Sequence, residues 1–147
     1  MVPFKILDGA MGSELIRRGL TLPEHTWSAD SNINSSGVVK EIHREYVNAG
    51  ADFITTNTFR TTPRAYFKTG VGKKKSVRLA KDSLLKAVAI AQEATENSTR
   101  VVGSIAPLED CYSPDLFPGR NASVAEFSKL GEWLAEAGVD ILLLETM

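Results

Sequence analysis

Glu145 is the residue that most demands a chemical explanation, because its carboxylate is attached directly to the apolar run Ile141-Leu142-Leu143-Leu144. An acid in that setting must be paired, hydrogen-bonded or protonated, since an isolated buried charge is very costly. Asp8 stands in the same relation to Phe4-Lys5-Ile6-Leu7. Two carboxylates on one rim could hold the ammonium of an amino-acid substrate. Backbone N–H groups at Gly9, Ala10 and the following helix start could hold its carboxylate. Each acid also has a plainer reading: Glu145 as a strand end already at the solvent boundary, Asp8 as half of a common Asp-Gly turn pair. Between them, Thr55-Thr56-Asn57-Thr58 offers three hydroxyls and an amide. Only alternate residues of a strand face one side, so at most half of these could line a site.

For the two acids to meet, each must close a strand on the same side of one sheet. Four short apolar runs are available: Phe4-Lys5-Ile6-Leu7, Phe53-Ile54-Thr55-Thr56, Val101-Val102-Gly103-Ser104-Ile105 and Ile141-Leu142-Leu143-Leu144. Runs of this kind suit strands buried on both faces, as in a parallel sheet covered by helices. Helical patterns separate them. Ser13 is placed to cap a short helix through Arg18, closed by Gly19. From Ser36 to Ala49, the residues Val39, Ile42, Tyr46 and Val47 share a face, and Gly50 supplies the stop. Thr62-Pro63 is an N-cap and first-turn pair for a short helix through about Phe67. Lys75 to Ala94 carries Leu79, Leu84, Val88 and Ala91 at helical spacing, and Ser123 to Glu126 reads as a capping box before Phe127, Leu130 and Leu134.

Alternating strands and helices of these lengths mean βα units. The segment Ala49-Gly50-Ala51-Asp52-Phe53-Ile54 is echoed by Ala137-Gly138-Val139-Asp140-Ile141-Leu142. Each copy is a helix stop, a tight turn and a strand. The offset covers two βα units and supports a regularly wound sheet or a (β/α)8 barrel, although a glycine between helix and strand recurs in any α/β protein. In both architectures ligands bind beyond the carboxyl ends of the strands. Asp8, Thr55 to Thr58, Ser104 to Pro107 and Glu145 all fall there.

Other candidates carry less. Trp27, near His25 and Ser28, reads as a pocket wall or as an aromatic that anchors its loop. His43 lies among charged residues and reads as a solvated face of its helix, and His25 has no evident partner. Gly70-Val71-Gly72-Lys73-Lys74-Lys75-Ser76 lacks the spacing of a phosphate-binding loop and follows a helix, so it reads as a solvated loop. Asn97-Ser98-Thr99 and Asn121-Ala122-Ser123 match the glycosylation pattern, which carries little weight without a secretory signal.

Composition bounds the function classes. The 147 residues are 43% hydrophobic and 24% charged, which excludes a disordered or fibrous chain. Seventeen basic and 18 acidic side chains leave a net charge of −1, giving no electrostatic reason to expect nucleic acid or an anionic membrane as partner. A single cysteine, Cys111, cannot form an internal disulfide, and no Cys/His cluster has zinc spacing. No stretch approaches ~20 apolar residues, and a cytoplasmic protein is the expectation.

Taken together, the segments resemble the homocysteine S-methyltransferase family. The resemblance is carried by Ile6 to Leu15, Trp27-Ser28-Ala29, His43 to Asp52, Thr55-Thr56-Asn57-Thr58-Phe59, Gly103 to Pro107 and Leu142 to Met147. It implies a (β/α)8 TIM barrel and methyl transfer to the sulfur of homocysteine, giving methionine. It further implies a zinc ion that holds the sulfur as thiolate, the species able to attack a methyl donor in line. Asp8 with Gly9, Thr56 and Glu145 are the positions that would hold the amino-acid part of the substrate. The catalytic residues stay unassigned.

The chain also departs from that pattern. The family's zinc ligands are three cysteines in the second half of the barrel, and Cys111 matches none of them. A barrel of this kind needs ~250 residues, so residues 1–147 correspond to one domain covering strands one to four, a half-barrel with no metal ligands of its own. The expectation is therefore part of a substrate pocket that is inactive alone and pairs with a second copy or a complementary half. Two alternatives remain: a non-catalytic half-barrel interaction module, or a different α/β barrel lyase acting on an amino or keto acid. The methyl donor is open. Arg60 and Thr146 stand where aromatics would cage a quaternary ammonium, which disfavours betaine and leaves a sulfonium or folate donor.

Overall fold

The computed structural model describes residues 4–95, 99–139 and 141–147. Three parallel strands form the sheet in chain order: β1 (Phe53–Thr55), β2 (Arg100–Ile105) and β3 (Ile141–Leu144). Register pairs Phe53 with Arg100 and Ile54 with Val101, then Val102 with Ile141 and Ile105 with Leu144. All three strands therefore end on one side.

The first apolar run does not form a full strand. It lies parallel to β1 through a single bridge, Leu7 to Phe53. The Asp8 N–H donates to the Phe53 carbonyl at 3.0 Å, and the N–H groups of Asp52 and Phe53 both donate to the Ile6 carbonyl. With one neighbour and with Phe4, Ile6 and Leu7 exposed, the run has too little burial to extend the ladder. It still brings Asp8 level with the end of β1.

Helices connect the strands. The chain passes through α1 (Met11–Arg17), a 3-10 turn (Trp27–Asp30), α2 (Ser31–Asn34) and α3 (Ser36–Asn48) before β1. Between β1 and β2 lie α4 (Pro63–Lys68) and α5 (Lys73–Ala94), and α6 (Arg120–Glu136) precedes β3. Thr62 caps α4 as expected, accepting the Ala65 N–H at 3.0 Å. The core falls in patches on either side of α5. Leu84 and Val88 pack with Ile105, Leu130, Trp133 and Leu134, while Ile90 packs with Leu15, Val39 and Ile42. Among the described residues no helix is long and apolar enough to cross a membrane.

Several local expectations are corrected. Ser13 and Ser123 are not caps. Helix α1 begins at Met11, and α6 begins at Arg120 behind Gly119, whose φ of +87° suits glycine. Ser123 lies one turn inside α6 and donates to the Gly119 carbonyl at 2.9 Å, while Glu126 pairs with Arg64. Lys73 to Lys75 form the first turn of α5 rather than a loop, though they stay exposed. His43 is completely buried. It sits on the α3 stripe 39, 42, 43, 46, so helical spacing outweighs its charged neighbours.

The internal echo is structural. Gly50 and Gly138 both have positive φ (+98° and +83°). After each, the next N–H reaches back to its helix: Ala51 to the Tyr46 carbonyl and Val139 to the Leu134 carbonyl, each at 3.1 Å. Asp140, like Asn97 and Ser98 of the glycosylation pattern, lies outside the described residues.

Candidate functional site

Asp8, Gly9, Thr56 and Glu145 line one cavity of about 380 Å³ at the carboxyl ends of the strands, walled by Trp27 and Phe59. The run before β1, β1 itself and β3 each deliver one polar side chain to it because parallel strands end together. The acids are not symmetric. Asp8 is clasped by one residue: its Oδ2 accepts the Thr55 N–H at 2.9 Å and its Oδ1 accepts the Thr55 hydroxyl at 2.6 Å. Glu145 accepts the Ser104 hydroxyl through Oε1, and its own N–H donates to the Ile105 carbonyl. Partial burial pushes the Asp8 carboxyl above the usual aspartate range, the two Thr55 bonds pull it back, and the nearby negative charge of Glu145 raises it again. A cation placed in this cavity would favour the ionised carboxylate and so offset that rise.

Thr56 is 2% exposed. Its hydroxyl accepts the Ser104 N–H at 3.0 Å and lies 2.8 Å from the Thr58 hydroxyl. Thr55 and Asn57 also border the cavity, but their polar groups are already spent, those of Thr55 on Asp8. Asn57 is committed to the Ser28 carbonyl and the Asn32 side chain, both at 2.8 Å, and so ties the strand end to the turn that carries Trp27. Gly9 is required by space: a Cβ there would lie 2.7 Å from the Tyr46 hydroxyl, which itself donates to the Ala10 carbonyl at 3.2 Å.

A second cavity of about 630 Å³ adjoins the first and shares Trp27 and Phe59 with it. Its lining includes His25, Cys111, and a charged group built on Glu109. The Glu109 carboxylate bonds Lys68 and Arg64, and its carbonyl accepts from Arg60 at 2.8 Å. Arg64 also pairs with Glu126. Among the described residues, two other than glycine have left-handed backbone, Trp27 (φ +47°) and Thr146 (φ +53°). Trp27 walls both cavities, and Thr146 lines the second directly after Glu145 lines the first. Strain of this kind, about 1–3 kcal/mol per residue, concentrates at ligand sites.

The sequence reading missed Thr55 as the clasp of Asp8 and Ser104 as the partner of Glu145. Its only available signal was a serine at the alternate position of an otherwise apolar strand. Among the described residues, no group of three or more His, Cys, Asp or Glu side chains is arranged to hold a metal ion. Cys111 is half-buried with no such neighbours. These residues do not fit a zinc centre.

A sequence model of the family described as homocysteine S-methyltransferase matches residues 5–147. The homocysteine S-methyltransferase of Escherichia coli K12 is 30% identical, with 97% of this chain aligned to 49% of that protein. A Bacillus subtilis homocysteine S-methyltransferase, YbgG, is also 30% identical, over 99% of this chain and 50% of its own length. The crystal structure of the E. coli homocysteine methyltransferase MmuM in its metallated form superposes with a TM-score of 0.81 at 28% identity, over 97% of this chain and 54% of that one. The chain thus spans about half the length of the curated relatives it matches.

Proposed function

Because this chain belongs to the homocysteine S-methyltransferase family, we propose that it builds the amino-acid end of a homocysteine pocket in a protein that methylates the homocysteine sulfur to give methionine. Its fold is an open, parallel half of a (β/α)8 barrel. The observation that carries the proposal is the convergence of Asp8, Gly9, Thr56 and Glu145 on one cavity at the strand ends. Asp8 and Glu145 would share the substrate ammonium, and the N–H groups of Gly9 and Ala10 would face its carboxylate. Holding the amino-acid end fixes where the thiol lies, which is the positioning part of catalysis.

The described residues supply no metal-dependent step. In this reading zinc and the methyl donor are bound by parts of the complete protein outside these residues. The free side of β3, where Leu142 and Leu144 are exposed, receives a complementary half or a second copy, since an uncovered apolar edge is prone to association. Light scattering that returned the 16.0 kDa of one chain would rule that assembly out.

The pocket is tested by calorimetric titration of the chain with L-homocysteine. Binding by the wild type, weakened in Asp8→Asn and in Glu145→Gln, is the expected result. An affinity unchanged by both substitutions overturns the assignment.

A further inference from the structure

We propose that Ser104 is the positioning residue of this pocket: it orients Glu145 and, with Thr58, locks Thr56 as a hydrogen-bond acceptor, so that the amino end selects a charged ammonium. The inference rests on the pocket reading above and deepens it.

Hydrogen-bond direction fixes what each hydroxyl can offer a ligand. The Thr58 hydroxyl lies 2.7 Å from the Ser104 carbonyl, which can only accept, so the Thr58 proton is spent there. The contact between the Thr56 and Thr58 hydroxyls therefore has one possible direction, with Thr56 donating. Thr56 also accepts the Ser104 N–H. Its proton is used and one lone pair remains. Thr56 can therefore face a ligand only as an acceptor.

The same strand residue sets the second acid. The Ser104 hydroxyl donates to Oε1 of Glu145 and leaves Oε2 for a ligand. Ser104 is 2% exposed and Thr58 4%, so water does not compete for these bonds. Ser104 does not line the cavity; it acts through Thr56 and Glu145, which do. The Asp8 oxygens are likewise acceptors, with the Thr55 donors behind them. Asp8, Thr56 and Glu145 thus offer acceptors and no side-chain donor. An ammonium satisfies that set. An uncharged group without N–H, or a carboxylate, leaves it unpaired, and unpaired buried acceptors are where discrimination is largest.

The test compares L-homocysteine with its des-amino analogue 4-sulfanylbutanoate by calorimetry, on the wild-type chain and on Ser104→Ala and Ser104→Thr. The wild type is expected to prefer homocysteine. Ser104→Ala should weaken homocysteine by roughly 10-fold or more, the scale of a bond to a charged group, while leaving the analogue unchanged. Ser104→Thr, which keeps the hydroxyl, should recover most of that loss. Equal weakening of both ligands by Ser104→Ala, or no weakening of either, overturns the role of the Ser104 hydroxyl in orienting Glu145 and leaves the pocket standing. The hold on Thr56 uses the Ser104 main chain and is broken instead by Thr58→Val, which frees the Thr56 proton to donate and should narrow the preference for homocysteine. An unchanged preference in Thr58→Val overturns that part. A wild type that fails to prefer homocysteine overturns the pocket itself, and this inference with it.

Discussion

The two cavities share a wall yet use charge in opposite ways. In the smaller one, Asp8 and Glu145 have no cationic partner among the described residues; hydroxyls and one backbone N–H support them, and their charge faces open space. In the larger one, Glu109 is surrounded by Arg60, Arg64 and Lys68, and Arg64 is matched again by Glu126. Charge matched by neighbours holds the loop after β2 against α4 and α6. Unmatched charge at the strand ends is what the proposed ammonium would pair. The contrast separates a structural ion cluster from the proposed recognition site.

The sharpest way to break this comparison is to neutralise the unmatched acids together. Asp8→Asn with Glu145→Gln should weaken homocysteine on the order of a thousandfold, from two charge-assisted bonds, with little effect on unfolding. Gln keeps the oxygen that the Ser104 hydroxyl needs. Asn keeps one for the Thr55 N–H while its amide can donate to the Thr55 hydroxyl in place of the second oxygen, and loss of the Asp8 charge removes a desolvation cost. Calorimetry and thermal melting check the two halves. The pH sign follows from Asp8: with its carboxyl raised by burial, homocysteine affinity is present above that titration and lost as pH falls through it. A double variant that binds as tightly as wild type would erase the distinction between the cavities.

His43 asks whether acid sensitivity of the fold lies in either cavity. It is fully buried, neither ring nitrogen has a hydrogen-bond partner, and burial alone lowers its pKa from 6.5 to about 4. The unfolded chain therefore binds a proton near pH 6.5 that the folded chain refuses until about pH 4. Stability is present above that window and lost as pH falls through it, by about 2 kcal/mol at pH 5. His43→Leu should flatten that limb of a denaturation series, and a limb that persists places the sensitivity elsewhere.

Glu109→Gln tests the matched charges. It leaves Arg64 and Lys68 without their shared carboxylate, and should cost about 1–2 kcal/mol of stability, reduced because both cations are partly exposed. Homocysteine affinity should not move. Denaturant melts with calorimetry on the same sample decide it; lost affinity at unchanged stability would make Glu109 a binding residue.

Much of this was legible in the sequence. Apolar runs ending in Asp8 and Glu145 located the strand ends, and parallel topology then forced those acids onto one rim. The Gly50 and Gly138 turns were visible because a left-handed stop after a helix has few other solutions. What was illegible was direction and partnership. Nothing in Gly103-Ser104-Ile105 says that the hydroxyl meets Glu145, because that contact joins residues 41 apart. The helix starts were misjudged because Ser13 and Ser123 have capping chemistry one turn or less from where capping happens. His43 was misread because local charge was weighed above its place on the α3 stripe.

Tyr46 gives the finest test of how the recognition cavity is supported. Its hydroxyl donates to the Ala10 carbonyl at 3.2 Å, and its ring fills the space a Cβ on residue 9 would need. Tyr46→Phe keeps the ring and removes only the hydrogen bond. That bond is long and reaches an exposed carbonyl, which water can satisfy in its place. The expected loss of homocysteine affinity is therefore small, about threefold, consistent with a neutral bond of ~0.5–1 kcal/mol. Gly9→Ala at the same contact should cost more, because the added methyl must displace the ring. If Tyr46→Phe cost tenfold or more while Gly9→Ala cost nothing, support of this rim would come from the hydroxyl rather than from packing.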